Sequence, residues 1–153
     1  IVATLSFGAD LATKNWAYTS LRFRDPIKVL GDFLQFTYAT NKGAAFNLAE
    51  NSTYILTALK ACVATYLIFY MTKVVSRSWA VALGLLFGGV IGNLWDRATR
   101  PPGRWVGEVV DWIQVPHWPV FNIADSCIVL AAIAITILSM RNIAPTDRKE
   151  KSA

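Results

Sequence analysis

The sequence predicts a membrane α-helical protein with four transmembrane helices and a small β-sheet contributed by its outer loops. Three observations carry this prediction. Of the 153 residues, 54% are hydrophobic and only 16% charged, and the mean hydropathy is +0.39, a greasier balance than that of an average soluble domain. Two apolar runs, and a third that begins polar, are long enough to cross the roughly 30 Å of a bilayer's hydrocarbon as helices. The costly polar residues gather at one end of these runs. Little length remains for a separate soluble domain, so residues 1–140 read as one integral membrane unit and 141–153 as a basic, disordered cytoplasmic tail.

The first span is expected over about residues 1–17. No Met opens the chain, and the apolar run Ile1 to Ala9 would rise only about 14 Å as a helix, so this span is expected to begin upstream. A cleaved secretory signal is the competing reading, although no small-residue cleavage pattern is obvious and further spans follow. The middle spans are Tyr54 to Thr72 and Trp79 to Trp95, and the last is Phe121 to Met140, whose first turn is polar before the run becomes wholly apolar. Between the middle spans, the short connection carries Lys73 and Arg77, and the tail carries Arg141, Arg148, Lys149 and Lys151. Dense basic charge on one side of the spans marks it as cytoplasmic, which gives an N-in/C-in orientation.

The remaining connections are then outer ones. In Ala17 to Ser52, the alternating stretch Val29 to Thr40 predicts a small sheet on the membrane surface. In Arg100 to Pro119, Pro101-Pro102-Gly103 precedes an extended or hairpin segment from Trp105 to Val115. The two are expected to sit together. Gly84, Gly88 and Gly92 recur every four residues along the third span, the pattern of close helix packing.

A formal charge of +5 without any long basic run argues against a nucleic-acid surface. With one His117 and two isolated cysteines, Cys62 and Cys127, no usual zinc site can be assembled, and neither a metal nor another cofactor is expected. Cys127 adjoins the polar start of the last span, but a nucleophilic thiol would want a nearby base. His117, Trp112 and Trp118 read as interfacial. Lys60, early in the second span, either faces the bundle or snorkels, and no function attaches to it.

Asp10 and Lys14 lie four apart on one helical face near the outer end of the first span, and Asn93 and Arg97 repeat that spacing on the third. Asn122 and Asp125, three apart, open the fourth, and the outer segments add Asn41, Asp96 and Asp111 beside them. Each pair taken alone reads most simply as an interfacial cap or ion pair. Their convergence asks for more. Asp111 sits among Val109, Val110, Trp112 and Ile113, where partial burial should disfavour its charged form, and Asp125 is flanked by Ile123 and Ala124. Two such carboxylates sharing one proton can hydrolyse a peptide, the ionised member activating water while the protonated member polarises the carbonyl. Fourteen residues of separation do not prove contact. A proton-coupled carrier or channel subunit using the two acids as a relay stays open, although the acids gather at one face and no pair of broken helices marks a midplane site.

Five blocks, in order, resemble the motif set of the lipoprotein signal peptidase (signal peptidase II) family: Asp10 to Lys14, Asn41 to Phe46, Gly89 to Arg97, Gly107 to Asp111 and Phe121 to Ser126. The resemblance implies four helices with an extracytoplasmic β-cradle in the bacterial plasma (inner) membrane, and an aspartic endopeptidase. Its substrate would be a diacylglyceryl-modified prolipoprotein, cut N-terminal to the lipidated cysteine by a monomer. Asp111 and Asp125 match the family's catalytic pair. Asn41, Gly43, Asn93, Arg97 and Asn122 match site-shaping or substrate-binding positions, Asp10 and Lys14 a supporting pair, and Asp96 is expected to be structural. The chain departs from many relatives in a longer Ala98 to Val106 stretch and in Trp112, where Phe is commoner.

Overall fold

The computed structural model describes residues 1–43 and 52–146. Four helices, α1 (Val2–Ser20), α2 (Ser52–Met71), α3 (Arg77–Thr99) and α4 (Ile123–Met140), alternate with three strands, β1 (Ile27–Leu30), β2 (Leu34–Asn41) and β3 (Val109–Gln114). By length and composition, α2, α3 and α4 are apolar enough to cross a membrane. α1 is as long, 19 residues or about 28 Å of rise, but carries Asp10 and Lys14 in its middle. It runs past the apolar stretch because those two residues are satisfied inside the bundle.

α3 is the central helix and touches the other three. Its glycines permit this. A Cβ on Gly88 would meet Ser6 Cβ of α1 at 2.6 Å, and one on Gly92 would meet Asp10 Oδ2 at 2.5 Å. Gly89, outside the four-residue stripe, admits α4: a Cβ there would meet the Ala124 carbonyl oxygen at 2.5 Å. In lipid, apolar side chains gain little by leaving hydrocarbon, so close backbone approach of this kind is what holds helices together. At the end away from the strands, Leu67, Trp79, Ala82, Leu83 and Leu138 form a cluster joining α2, α3 and α4.

The strands form one antiparallel sheet in the order β1-β2-β3. β1 and β2 make a hairpin turning at Gly31, whose φ of +57° suits glycine. β3, far along the chain, pairs with β2 in a register that sets Ala39 opposite Asp111 and Thr40 opposite Val110, so the two outer segments do sit together. A bridge between Ile113 and Phe121 folds the chain back toward α4. Alternation along β3 then divides its side chains. Val110 and Trp112 pack on Ala17 and Leu21 of α1, while Asp111 faces the other way.

Several expectations need correction. Trp112 does not form an exposed aromatic belt: it is 7% exposed and stacks edge-on against Phe36 and Trp16, with ring centres 5.0 and 5.5 Å away. Trp118 and His117 are exposed. Asp96 lies within α3, not in the loop after it, because the helix continues one turn beyond Trp95. The start of the tail is docked: Trp79 Nε1 donates to the Ile143 carbonyl at 2.7 Å, and the Pro145 carbonyl accepts from Val75 N–H at 3.0 Å. Residues 147–153 of the tail lie outside the described residues, as do Ala44, Ala45 and Phe46 of the second motif block.

Candidate active site

α1, α3, α4 and β3 meet at the sheet end of the bundle, and each contributes polar side chains that its neighbours complete. Along α1, Ser6, Asp10, Lys14 and Ala17 form the buried stripe. Lys14 and Asp10 are fully buried. The Lys14 ammonium has three acceptors, Asp10 Oδ2 at 2.7 Å, Asn93 Oδ1 at 3.0 Å and Asp96 Oδ2 at 3.1 Å, which matches its three protons. Asp10 Oδ1 in turn accepts from the Ala124 N–H at 2.8 Å, so a side chain of α1 satisfies one of the open N–H groups at the start of α4. Asp96 also takes Arg100 Nε at 2.6 Å and the Val110 N–H at 3.2 Å, tying α1, α3 and β3 together. That is the structural role expected of it.

Asn122 is the N-cap of α4 and forms a capping box with Asp125. Its Oδ1 accepts from the Asp125 N–H at 2.9 Å and its own N–H lies 3.4 Å from Asp125 Oδ2. Since Oδ1 is committed to the cap, Nδ2 points outward, and it donates to Asp111 Oδ1 at 2.6 Å. One asparagine therefore bridges the two aspartates. Asn93 works the same way: its Oδ1 is held by Lys14, which turns Nδ2 toward Asp125 Oδ1 at 2.9 Å. Both Asp125 oxygens are acceptors in this arrangement.

Asp111 is 4% exposed. Burial, and next the charge of Asp125, push its carboxyl up to about 7, against the opposing pull of the Asn122 and Asn41 amides and of Lys14. Asn41 Oδ1 accepts the Gly43 N–H at 2.7 Å, which leaves its amide nitrogen for Asp111. Asn41, Ala39, Asp111 and Val120 line a cleft of about 370 Å³. Gly43 has a φ of +89°, and a Cβ there would come within 3.4 Å of an Arg97 nitrogen. Arg97 does not meet Asn93 despite their spacing. It donates instead to the Gly107 carbonyl at 2.8 Å, while the Gly107 N–H returns to the Arg97 carbonyl at 2.9 Å, fixing the entry to β3.

Every site residue expected from sequence thus falls in one connected region, though not always through the expected partner. Gly89 opens the third motif block, but its packing role was not read from sequence because its one-residue offset leaves it out of the four-residue pattern. Thr57 was also missed: it is buried on α2 and donates to the Trp105 carbonyl at 2.8 Å, and only its polarity within a mostly apolar run, shared with Lys60 and Thr65, could have signalled it. Lys60 is half-buried on the same face as Thr57 and Ala64 and has no ion pair among the described residues. Cys127 is buried and Cys62 exposed, neither in a disulfide.

The family model described as signal peptidase (SPase) II matches residues 2–141. A lipoprotein signal peptidase of Streptomyces coelicolor is 44% identical over 98% of this chain and 74% of its own length. One of Mycobacterium avium is 40% identical over 91% of this chain and 76% of its own. A solved structure described as a bacterial membrane enzyme superposes with a TM-score of 0.80 at 28% identity, covering 97% of this chain and 91% of that one.

Proposed function

Because the chain belongs to the signal peptidase II family, we propose that it is an aspartic endopeptidase which removes the signal peptide from diacylglyceryl-modified prolipoproteins, N-terminal to the lipidated cysteine. The observation that carries the reading is the Asn122 bridge between Asp111 and Asp125 at the edge of an open cleft. In this reading all four helices span the bacterial plasma membrane, N-in/C-in, as one domain over residues 1–140 with a basic cytoplasmic tail. The site then faces outward at the membrane surface. The enzyme acts as a monomer.

Asp125 takes the proton from a water held between the acids, and the water oxygen attacks the scissile carbonyl. Asp111, protonated near neutral pH by its burial, donates to the carbonyl oxygen as charge develops there. Collapse of the tetrahedral intermediate breaks the C–N bond. The proton gathered by Asp125 passes to the departing amine, and the proton given to the carbonyl oxygen returns to Asp111 as the new carboxyl group forms, which restores the starting state. Asn93 and Asn122 hold Asp125 and Asp111 at fixed positions through this cycle. A substrate anchored by two acyl chains brings its scissile bond to the bilayer surface, and binding energy from those chains, remote from the reacting bond, positions it for attack.

The test is cleavage of a diacylglyceryl-modified prolipoprotein peptide by the purified protein in detergent. Cleavage by wild type that persists in chelator, and is lost in both Asp111→Asn and Asp125→Asn with folding retained, supports the two-aspartate mechanism. Cleavage surviving in either variant overturns it. A folded wild type that does not cleave returns the acids to the relay reading.

A further inference from the structure

The sheet has a second cavity on the face opposite Asp111, and the proposed reaction makes no use of it. About 400 Å³ in volume, it lies between the last turn of α1, the Thr40 and Val110 face of the sheet, and the Arg100-Pro101-Pro102 turn that follows α3.

Two guanidinium groups converge there. Arg22 Cζ stands 4.8 Å from the centre of the Tyr18 ring and Arg100 Cζ 5.6 Å from the same centre. Arg100 is held in place, with Nε on Asp96 at 2.6 Å and one terminal nitrogen on Asn15 at 3.0 Å. Its other terminal nitrogen is left for a ligand. Arg22 donates to the Tyr18 hydroxyl at 2.6 Å and forms no ion pair among the described residues. Tyr38 and Thr40 add hydroxyls to the lining. Burial keeps the Tyr38 phenol above its usual range, against the pull of both arginines, so it stays a neutral donor. Glu108 is the one acid in the lining, 3.4 Å from Lys42.

The Arg22 guanidinium and the remaining terminal nitrogen of Arg100, with flanking hydroxyls, suit the oxygens of a phosphate group, and the lone carboxylate suits a hydrogen-bond donor carried beside it. We propose that this cavity binds a phosphate group, the chemistry shared by a phosphatidylglycerol headgroup, whose glycerol hydroxyls would donate to Glu108, and by a free phosphate anion. The headgroup source rests on the reading above that the sheet end lies at the outer membrane surface, where Trp16 and Tyr18 would lie at headgroup depth.

The experiment is calorimetric titration of the purified full chain in neutral detergent with dihexanoyl phosphatidylglycerol, dihexanoyl phosphatidylcholine and inorganic phosphate, for wild type, Arg22→Gln and Tyr38→Phe. Saturable phosphatidylglycerol binding is expected, weakened about tenfold or more by Arg22→Gln, less by Tyr38→Phe, and about tenfold weaker for phosphatidylcholine, whose trimethylammonium cannot donate to Glu108. Phosphate binding as tightly as the lipid, with the same loss in Arg22→Gln, keeps the anion site and assigns it to a free anion. Absence of saturable binding by wild type, or binding that ignores both substitutions, overturns the proposal. Peptide cleavage by the same preparations reports separately on the proposed function, since Arg22→Gln should cleave as wild type does.

Discussion

Asp10 and Asp96 lie beside Asp111 and Asp125 at the same end of the bundle, yet the two carboxylate pairs are balanced differently. The first pair holds Lys14 between its members at 2.7 and 3.1 Å, and Arg100 adds a second cation at 2.6 Å. Two negative charges meet two positive ones, and every proton has a place. The second pair has no cation within 4.0 Å among the described residues. Asn122, which is neutral, donates to Asp111 Oδ1 through its side-chain amide and lies 3.4 Å from Asp125 Oδ2 through its backbone N–H, so two ionised carboxylates would be left uncompensated in a partly dry site. Burial and the charge of Asp125 raise the Asp111 carboxyl to about 7, so Asp111 is the member that holds a proton below neutrality. Both pairs include buried carboxyls, but among the described residues only the first has cations at hand to balance its charge.

The most severe test of this contrast is the conservative removal of charge from the second pair. Asp111→Asn or Asp125→Asn is expected to lower kcat/KM by roughly 10³–10⁴-fold or more. Because Asp111→Asn removes a carboxyl that burial opposes, its thermal unfolding midpoint should hold or rise. A large fall in midpoint would show Asp111 to be structural as well.

Lys14→Met makes the opposite perturbation. It leaves Asp10 and Asp96 without their shared ammonium, a loss on the order of 3–5 kcal/mol for a broken buried pair, read as a marked drop in the unfolding midpoint. A variant as stable as wild type but inactive would move Lys14 into the chemistry and erase the distinction drawn here.

Asn122→Ala cuts both ways, because Asn122 caps α4 and bridges the acids. About 1 kcal/mol of stability should go with the cap, and kcat should fall about 10²-fold, with KM less affected. Loss of stability alone would mean that the bridge does not orient the pair.

The pH dependence separates the pairs most finely. Asp111's folded value, raised to about 7, exceeds its unfolded value of about 4. Between those limits the folded chain keeps a proton that the unfolded chain has lost, so this group's contribution to stability is full at the acid end, declines as pH rises, and levels off above about 7. Activity that needs a protonated Asp111 should fall about tenfold per pH unit above about 7. Asp111→Asn should flatten the stability profile in that window, and an unchanged slope would place the titrating group elsewhere.

Much of this was legible in the residues themselves. Spans reveal themselves by apolar length, and an acid or ammonium within one must find a partner, so Asp10, Lys14, Asn93, Asn122 and Asp125 marked one end of the bundle before any contact was known. Resemblance over five ordered blocks added the roles proposed for Asp111 and Asp125. The partners were harder to read. Asn93 and Arg97 share a helical face but part company, one to Asp125 and the other to Gly107. Trp112, polar at one edge, looked interfacial and is buried against Phe36.

The sequence by itself determined where helices can exist and which side chains could not face lipid, because hydrocarbon penalises polarity locally, residue by residue. Only the tertiary structure decided which aspartates meet a cation and which meet only amides. That outcome depends on glycine-mediated approach of α3 to α1 and α4 and on the register of β3 against β2, contacts made across up to 114 residues of chain between Asp10 and Ala124. Spacing along the sequence carries no trace of them.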